Sequence, residues 1–333
     1  MINEKKVKLG QFFTKSALWL KPQILEFINN SNCSIAYDPF AGAGDILNVL
    51  TAQFKFNEYV GLDIDAHLNW KLNDSLLNIP LVDHAIIVTN PPYIAKQSAS
   101  KKKIDLSLYF GSSPYEDIYL IALEKMLENH KFVVAIVPES FINSNFKHKN
   151  LLSSITILEE NPFNDTEIPV CVVCFDSVNK PLSQVKIYKN NKLINNFQSI
   201  IDVKLLPKHN VKIKFNTLDG WLGLRAADSS NDVNFIKFDF KENFSYNWQK
   251  NIKISSRHYS LIDVDIPKDL RSKFIDICNQ KIQELRWKSS DIIFSPFKGN
   301  TKNGIRRRRL DFNLARAIME KAYFKIYKDK THE

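Results

Sequence analysis

The sequence has no long uninterrupted apolar stretch. None of its apolar runs reaches the roughly 18 residues that a membrane-spanning helix needs. The first residues, Met1–Lys6, also lack the apolar core and cleavage site of a secretory signal. We therefore expect a cytoplasmic protein without membrane association. A hydrophobic content of 44% in 333 residues is enough to fill one large domain or two ordinary ones.

Cysteine is scarce, with four in the whole chain. Cys33 and Cys278 have no close partner in sequence, whereas Cys171 and Cys174 form a C-x-x-C pair inside an apolar run. A zinc site needs further ligands, and no second pair of Cys or His stands at ligand spacing. We therefore expect no metal site, and we interpret Cys171 and Cys174 as small side chains packed in a buried strand.

Net positive charge is missing from the first part of the chain. Residues 1–180 hold 16 basic and 20 acidic side chains, a net charge of −4, whereas residues 181–333 hold 30 and 16, a net charge of +14. A basic surface attracts polyanions through counterion release, so nucleic acid is the first expected partner and an anionic membrane the second. A lysine-rich surface that serves only solubility is the alternative.

Short apolar runs alternate with amphipathic stretches between Ser34 and Phe175. This order predicts an α/β fold with a mainly parallel sheet. Strands are predicted at 34–37, 59–62, 84–89, 132–137 and near 170, with helices at 46–53 and 118–128. Beyond about residue 180 the pattern is irregular and predicts only a helix over 310–325. We therefore predict one domain over residues 1–180 and a basic domain over residues 181–333.

A glycine-rich turn, Asp38–Asp45, follows the first predicted strand. Glycines let a backbone turn tightly and approach a ligand closely. A dinucleotide-binding fingerprint would need a third glycine where Leu47 stands, which argues against NAD. An acidic residue before the turn and Asp63 at the end of the second strand instead suit a ligand with an ammonium group and ribose hydroxyls, such as S-adenosylmethionine.

Asp63 is placed to accept hydrogen bonds from both ribose hydroxyls. Asp65 is an alternative for this role, and a helix N-cap would also explain an aspartate at the end of a strand. Asp74 would then contact the adenine amino group of the cofactor, although a plain loop turn explains it equally well in isolation.

The tetrapeptide Asn90-Pro91-Pro92-Tyr93 directly follows a predicted strand, at the sheet edge where open α/β folds bind their ligands. The two prolines fix the backbone there. This rigidity suits a site in which the Asn90 side-chain oxygen and the Pro91 carbonyl accept both hydrogens of one planar amino group, while Tyr93 stacks on the aromatic target. Such acceptors favour a pyramidal nitrogen whose lone pair can attack a methyl group. An Asn-Pro turn without function is the structural alternative.

With these motifs in order, residues 8–178 resemble the gamma group of amino-methylating DNA methyltransferases, the adenine-modifying enzymes of type II restriction systems and their solitary relatives. Leu9–Thr14 looks like the N-terminal cofactor segment of that group, and by resemblance Phe163 is the second wall around the target base. The resemblance implies a Rossmann-like S-adenosylmethionine-dependent methyltransferase domain followed by a target-recognition domain. The cofactor-binding residues that it implies are Phe13, Thr14, Asp38, Pro39, Ala41, Gly42, Gly44, Asp63, Ile64, Asp74 and Asn90.

The function implied by the resemblance is that of an adenine-specific, site-specific DNA methyltransferase. Such an enzyme transfers methyl from S-adenosylmethionine to N6 of an adenine flipped out of double-stranded DNA. A cognate restriction endonuclease is the partner that such a system implies. The catalytic residues are then Asn90, Pro91, Pro92, Tyr93 and Phe163. For DNA contact we predict Arg225, Arg257, Tyr259, Lys298, Lys302, Arg306, Arg307, Arg308 and Arg309.

Other substrates present the same conjugated nitrogen. Release-factor glutamine methyltransferases also use Asn-Pro-Pro-Tyr, but they usually place a helical substrate domain before the glycine motif, and here only 37 residues precede Asp38. RNA adenine and cytosine N4 remain alternatives, as does a DNA-binding subunit without activity.

Overall fold

The computed structural model describes residues 17–163, 166–231 and 235–329. Two compact units divide the chain after Gln198. The strands of the first unit are β1 (Ile35–Asp38), β2 (Glu58–Asp63), β3 (Lys71–Leu72), β4 (Ala85–Thr89), β5 (Phe132–Pro138), β6 (Leu152–Ile157), β7 (Val170–Phe175), β8 (Lys186–Lys189) and β9 (Lys192–Asn196).

These strands form a single sheet in the order β3-β2-β1-β4-β5-β7-β6-β8-β9. The pairs from β3 to β5 are parallel, and β7 then runs antiparallel between β5 and β6. Every residue of β4 and β7 is buried, so the side chains on both faces of these two strands lie in a core. Cys171 and Cys174 are free thiols buried within β7, which confirms their interpretation as packing residues.

Helices connect the parallel strands. Gly44 precedes the second helix with a φ of +86°, a left-handed conformation that glycine adopts without strain. Ile118–Leu123 are all buried in the fifth helix, which runs into β5. The helices up to the division between units are α1 (Pro22–Asn30), α2 (Asp45–Gln53), α3 (Lys96–Lys101), α4 (Ser107–Phe110), α5 (Ile118–Asn129) and α6 (Phe197–Val203).

The predicted α/β fold with a large, mainly parallel sheet is confirmed, and each predicted strand and helix lies within a few residues of its observed bounds. The first unit nevertheless extends beyond the predicted boundary at residue 180. β8 pairs in parallel with β6, and β9 pairs with β8, so the sheet continues to Asn196. Pairing with a strand distant in sequence is not encoded in local periodicity.

The second unit contains a four-stranded antiparallel sheet and a hairpin. Its strands are β10 (Ile213–Phe215), β11 (Leu222–Arg225), β12 (Lys237–Phe240), β13 (Tyr259–Val264), β14 (Ser295–Asn300) and β15 (Arg306–Arg309). The sheet order is β10-β13-β11-β12, and β14 pairs with β15. Its helices are α7 (Trp248–Asn251), α8 (Arg271–Ser289) and α9 (Phe312–Asp329).

Alternation along the strands gives the four-stranded sheet two different faces. Leu222, Leu224 and Phe238 are completely buried, on the side that packs with α8. Arg225 and Tyr259, paired across β11 and β13, belong to the opposite face and are half-buried. Across the described ranges, no helix has both the length and the apolar character to cross a membrane.

Candidate functional site

A cavity of about 230 Å³ opens at the carboxyl ends of β1, β2 and β4. Parallel strands bring these ends to one edge of the sheet, so residues far apart in sequence meet there. Nine of the predicted site residues line the cavity: Asp38, Pro39, Ala41, Gly42, Asp63, Ile64, Asp74, Asn90 and Pro92. Phe40, Ala43, Asp45, Ile46, Asn73, Ser75, Leu76, Ile94, Leu106, Tyr109 and Ile118 complete the lining.

Asp38 ends β1 and is only 1% exposed. Thr89 at the end of β4 donates its hydroxyl to Asp38 Oδ1 at 2.6 Å, and the Phe40 amide donates to the same oxygen at 3.0 Å. Burial raises the pKa of Asp38 to about 7, although these two hydrogen bonds oppose the rise, and the nearby charge of Asp63 adds to it. A cation bound in the cavity would stabilise the ionised form.

Asp63 at the end of β2 holds the glycine turn. Its Oδ2 accepts the Gly42 amide at 2.8 Å, and its Oδ1 accepts the Asp65 amide at 2.8 Å. Gly42 has a φ of +53°, so the turn needs a residue that tolerates left-handed backbone. Each carboxylate oxygen keeps a second lone pair toward the cavity, where ribose hydroxyls could donate. Asp65, the alternative to Asp63, is absent from the described lining.

Trp70 is a site residue that the sequence did not reveal. Its indole Nε1 donates to the Gly42 carbonyl at 2.9 Å. Both backbone polar groups of Gly42 are therefore hydrogen-bonded, the amide to Asp63 and the carbonyl to Trp70. The ring lies against Gly44 and Gly61, where an added Cβ would stand 3.0 Å and 2.7 Å from ring atoms. Trp70 therefore holds the glycine turn through this hydrogen bond and through these ring contacts. The missed signal was Gly61, a glycine inside a strand, which marks a close approach.

Asp74 faces the cavity from the segment after β3. The Tyr109 hydroxyl donates to its Oδ2 at 2.8 Å, and the Leu76 amide donates to its Oδ1 at 3.2 Å. Partial burial, followed by this contact with Asp74, raises the pKa of Tyr109 to about 12, so the phenol keeps its proton. Tyr109 was not predicted, because α4 lies 35 residues beyond Asp74.

Asn90 follows β4 directly and presents its side chain to the cavity. The Tyr93 hydroxyl is in hydrogen-bonding reach of Asn90 Oδ1 and also lies 2.7 Å from the Ile136 carbonyl in β5. Burial raises the pKa of Tyr93 well above its usual value, so this hydroxyl is a donor. Its single hydrogen orients the Asn90 amide when it is donated to Oδ1 and not to the Ile136 carbonyl. The amide oxygen can accept a second hydrogen, because it has two lone pairs.

Tyr93 and Phe163 are close together, as a shared role requires, but they do not form an open slot. Their ring centroids are 6.2 Å apart at an interplanar angle of 66°, an edge-to-face contact. Tyr93 is 9% and Phe163 5% exposed. A base that stacks on Tyr93 would therefore need this contact to open.

Four carboxylates line the cavity, from Asp38, Asp45, Asp63 and Asp74, and none of the lining residues in the described ranges is Lys or Arg. This charge suits a ligand with cationic groups and opposes one with a pyrophosphate. S-adenosylmethionine, with its ammonium and sulfonium groups and its ribose hydroxyls, fits this set of donors and acceptors. Phe13 and Thr14, predicted to flank its methionine portion, lie outside the described residues.

The predicted DNA-contacting residues all belong to the second unit, and two of them are buried. Arg306 and Arg308 are 5% and 1% exposed, because alternation along β15 turns both inward. Arg306 donates to Asn300 Oδ1 at 2.9 Å. In this conformation neither guanidinium group is available to DNA.

A buried ion pair organises the same region. Arg286 donates to both carboxylate oxygens of Asp228, at 2.9 and 3.0 Å, and the Arg308 amide donates to Asp228 Oδ2 at 2.9 Å. Burial alone would lower the pKa of Arg286, but the hydrogen bonds and charges of Asp228 and Asp291 outweigh it and raise the pKa. Asp228 thereby fixes β15 to the end of α8.

Among the other predicted DNA contacts, each one whose side chain the structure describes has at least part of it in solvent. Arg307 and Arg309 occupy the outward positions of β15, and Arg257 and Lys302 are exposed. Arg225 lies over the Phe235 ring at 3.4 Å and 5.7 Å from the Tyr259 ring. Tyr259 also stacks on Tyr246, with ring centroids 4.2 Å apart. The side chain of Lys298 lies outside what the structure describes.

The segment that contains the tetrapeptide matches a known protein family. Residues 70–168 match the model of the Eco57I restriction-modification methylase family. This match covers Asp74, the tetrapeptide and Phe163, and over this segment it confirms the predicted resemblance to restriction-modification methyltransferases. A search of curated proteins returns no match.

Solved structures similar to this chain include several methyltransferases. A candidate class I S-adenosylmethionine-dependent methyltransferase from Listeria monocytogenes is 13% identical, with a TM-score of 0.35, and the match covers 50% of this chain and 63% of that one. A type I restriction-modification methyltransferase subunit from Streptococcus thermophilus is 17% identical, with a TM-score of 0.38 and coverages of 58% and 52%. The M protein of the type I restriction enzyme EcoKI is 14% identical, with a TM-score of 0.37 and coverages of 85% and 71%. This chain thus spans less than two thirds of the first two proteins.

Proposed function

We propose that this protein transfers a methyl group from S-adenosylmethionine to N6 of adenine in double-stranded DNA. The observation that carries the proposal is the cavity at the sheet edge, lined by four carboxylates and opening onto Asn90. The match of residues 70–168 to a restriction-modification methylase family supports the choice of DNA. The net charge of +14 over residues 181–333 supports a polyanionic partner.

Binding of the cofactor rests on the carboxylates. Asp38 and its neighbour Asp63 attract a cationic ligand, and the Gly42 turn leaves room for it beside the backbone. Asp63 accepts hydrogen bonds from ribose hydroxyls, and Asp74, oriented by Tyr109, accepts one from an adenine amino group. When bound, S-adenosylmethionine supplies an electrophilic methyl group on sulfur.

Activation of the target amine rests on Asn90 and Pro91. The Asn90 side-chain oxygen and the Pro91 carbonyl accept the two hydrogens of the exocyclic amine, so its lone pair is released from the ring for attack. Tyr93 holds the amide oxygen in place and offers its ring to the base once Phe163 has moved away. Positioning and fixed acceptors supply the catalysis. The base must leave the duplex to reach this site.

In the second unit, we propose Arg225, Arg257, Tyr259, Lys302, Arg307 and Arg309 as DNA contacts, because each is at least partly exposed. Arginine can clamp phosphates or hydrogen-bond to guanine, and lysine neutralises backbone charge. A cognate restriction endonuclease would recognise the same DNA sequence, as expected for a restriction-modification system.

Labelled methyl transfer to unmethylated plasmid, followed by nucleoside mass spectrometry, tests the proposal. We expect N6-methyladenine. N4-methylcytosine would change the target base, and label on protein or RNA but not on DNA would overturn the proposal.

The variant Asn90→Ala should abolish transfer, because one of the two acceptors is lost, while calorimetry should show nearly unchanged cofactor affinity. Asn150→Ala, which removes an amide that pairs with Asn179 in an exposed position, is the matched control and should transfer normally. Normal turnover by Asn90→Ala would refute the mechanism.

A further inference from the structure

Ile254, in the second unit, is 91% exposed, more than any other large hydrophobic side chain of the described residues. It occupies the first corner of a tight turn that the Ser256 amide closes by donating to the Lys253 carbonyl at 2.8 Å. Such corners favour Gly, Pro, Asn, Asp or Ser. Neither packing nor turn chemistry therefore explains an isoleucine at this position.

The turn is firmly held beneath this exposed side chain. Asn216 donates its side-chain amide to the carbonyls of Ile254 and Ser256, at 2.9 and 3.2 Å. Arg257 donates to the same two carbonyls, at 3.3 and 2.9 Å, and its guanidinium lies 4.6 Å from the Phe312 ring centroid. The Lys253 amide donates to Ser256 Oγ at 2.9 Å. The isoleucine thus stands on a rigid tip.

The segment that carries the tip is basic between Glu242 and Asp263. Residues 243–262 contain Lys250, Lys253 and Arg257 and no Asp or Glu. All three basic side chains are exposed. The Ala226 amide donates to the His258 carbonyl at 2.7 Å, which ties the end of the turn to β11 and Arg225. Partial burial lowers the pKa of His258, and the positive charges of Arg307 and Arg309 lower it further, so these arginines lie near the same segment.

We propose that Ile254 is a wedge that inserts between base pairs of DNA. An apolar side chain on a rigid, basic tip suits this partner, since phosphates attract the lysines and the arginine while the base stack accepts the apolar group. Proteins that kink DNA insert isoleucine and similar residues between base steps in this way. The inference rests on the proposed function, because a base-extruding enzyme must disrupt stacking.

Duplex and single-stranded DNA distinguish a wedge from an ordinary contact. In single strands there is no paired stack to open, so the wedge should matter for duplex alone. We expect Ile254→Ala to lower kcat/KM on duplex plasmid by about tenfold or more and to change kcat/KM on heat-denatured plasmid by less than about twofold. Ile254→Leu should restore most of the duplex activity.

Leu206→Ala is the matched control, because Leu206 is also highly exposed, at 73%, and belongs to the same unit. It should behave like the wild type on both substrates, and thermal melting should show all variants folded. Wild-type kcat/KM of Ile254→Ala on duplex plasmid, or an equal loss of kcat/KM on duplex and on denatured plasmid, would overturn the wedge while leaving the proposed function intact. A change in oligomeric state by light scattering would instead assign Ile254 to self-association. A wild-type protein that methylates no DNA would remove the proposed function itself.

Discussion

The contact between Trp70 and Gly61 allows a quantitative test of how the glycine turn is held. In Gly61→Ala the new methyl group would lie 2.7 Å from two atoms of the Trp70 ring, well inside van der Waals contact. The ring must move, and its hydrogen bond to the Gly42 carbonyl, 2.9 Å long, must lengthen or break. The turn then loses one of its two anchors.

The expected cost has two parts. Overpacking of a filled site costs about 1–3 kcal/mol. Loss of the indole hydrogen bond costs about 0.5–1.5 kcal/mol. We therefore expect the free energy of unfolding of Gly61→Ala to fall by roughly 1.5–4.5 kcal/mol. Because the displaced turn borders the cavity, we also expect S-adenosylhomocysteine to bind at least about tenfold more weakly, equivalent to about 1.4 kcal/mol.

Urea unfolding and calorimetric titration measure these two quantities. Gly223→Ala is the matched control, since its methyl group would lie 2.6 Å from a Phe244 ring atom in the second unit and Gly223 is not among the residues that line the cavity. It should reduce stability without changing cofactor affinity. Unchanged stability and affinity in Gly61→Ala would refute the role of Trp70 in holding the glycine turn. Equal loss of cofactor affinity in both variants would show that the effect is not local.

Two further predictions concern the buried charges. Burial raises the folded-state pKa of Asp38 from 3.8 to about 7, so the folded protein holds this proton more tightly than the unfolded chain, and wild-type stability falls as pH rises from about 4 to about 7. The stability of Asp38→Asn relative to wild type should therefore rise over that interval and level off above it. Urea unfolding at each pH would measure this, and a flat difference would contradict the assigned pKa. Arg307→Ala should lower the salt dependence of DNA affinity by about one ion per lost phosphate contact, whereas Arg308→Ala, which empties a buried position, should lower the melting temperature, and the reverse pattern would invert the assigned orientation of β15.

Local sequence patterns predicted which residues meet at the sheet edge. Asp38, Asp63 and Asn90 each end or follow a short apolar run, and parallel strands necessarily bring such positions to one edge. The glycine turn was legible for a similar reason, because Gly42 and Gly44 both adopt left-handed backbone that other residues avoid. These features depend on neighbours in sequence and on the direction of strands.

Contacts between distant segments could not be predicted in this way. Trp70 reaches back 28 residues to Gly42, and no pattern in its own segment indicates that partner. The edge-to-face contact of Tyr93 with Phe163 likewise depends on how two loops meet.

The sequence by itself determined the α/β architecture of the first unit, the tetrapeptide at the end of β4 and the charge contrast between the two parts of the chain. The tertiary structure decided which charges are available. Four consecutive arginines look equivalent in sequence, but strand alternation and the buried carboxylate of Asp228 separate Arg306 and Arg308 from Arg307 and Arg309. The reason is that burial is a property of the packed chain, set by residues as distant as Asp228 and Arg286, and not of the local run.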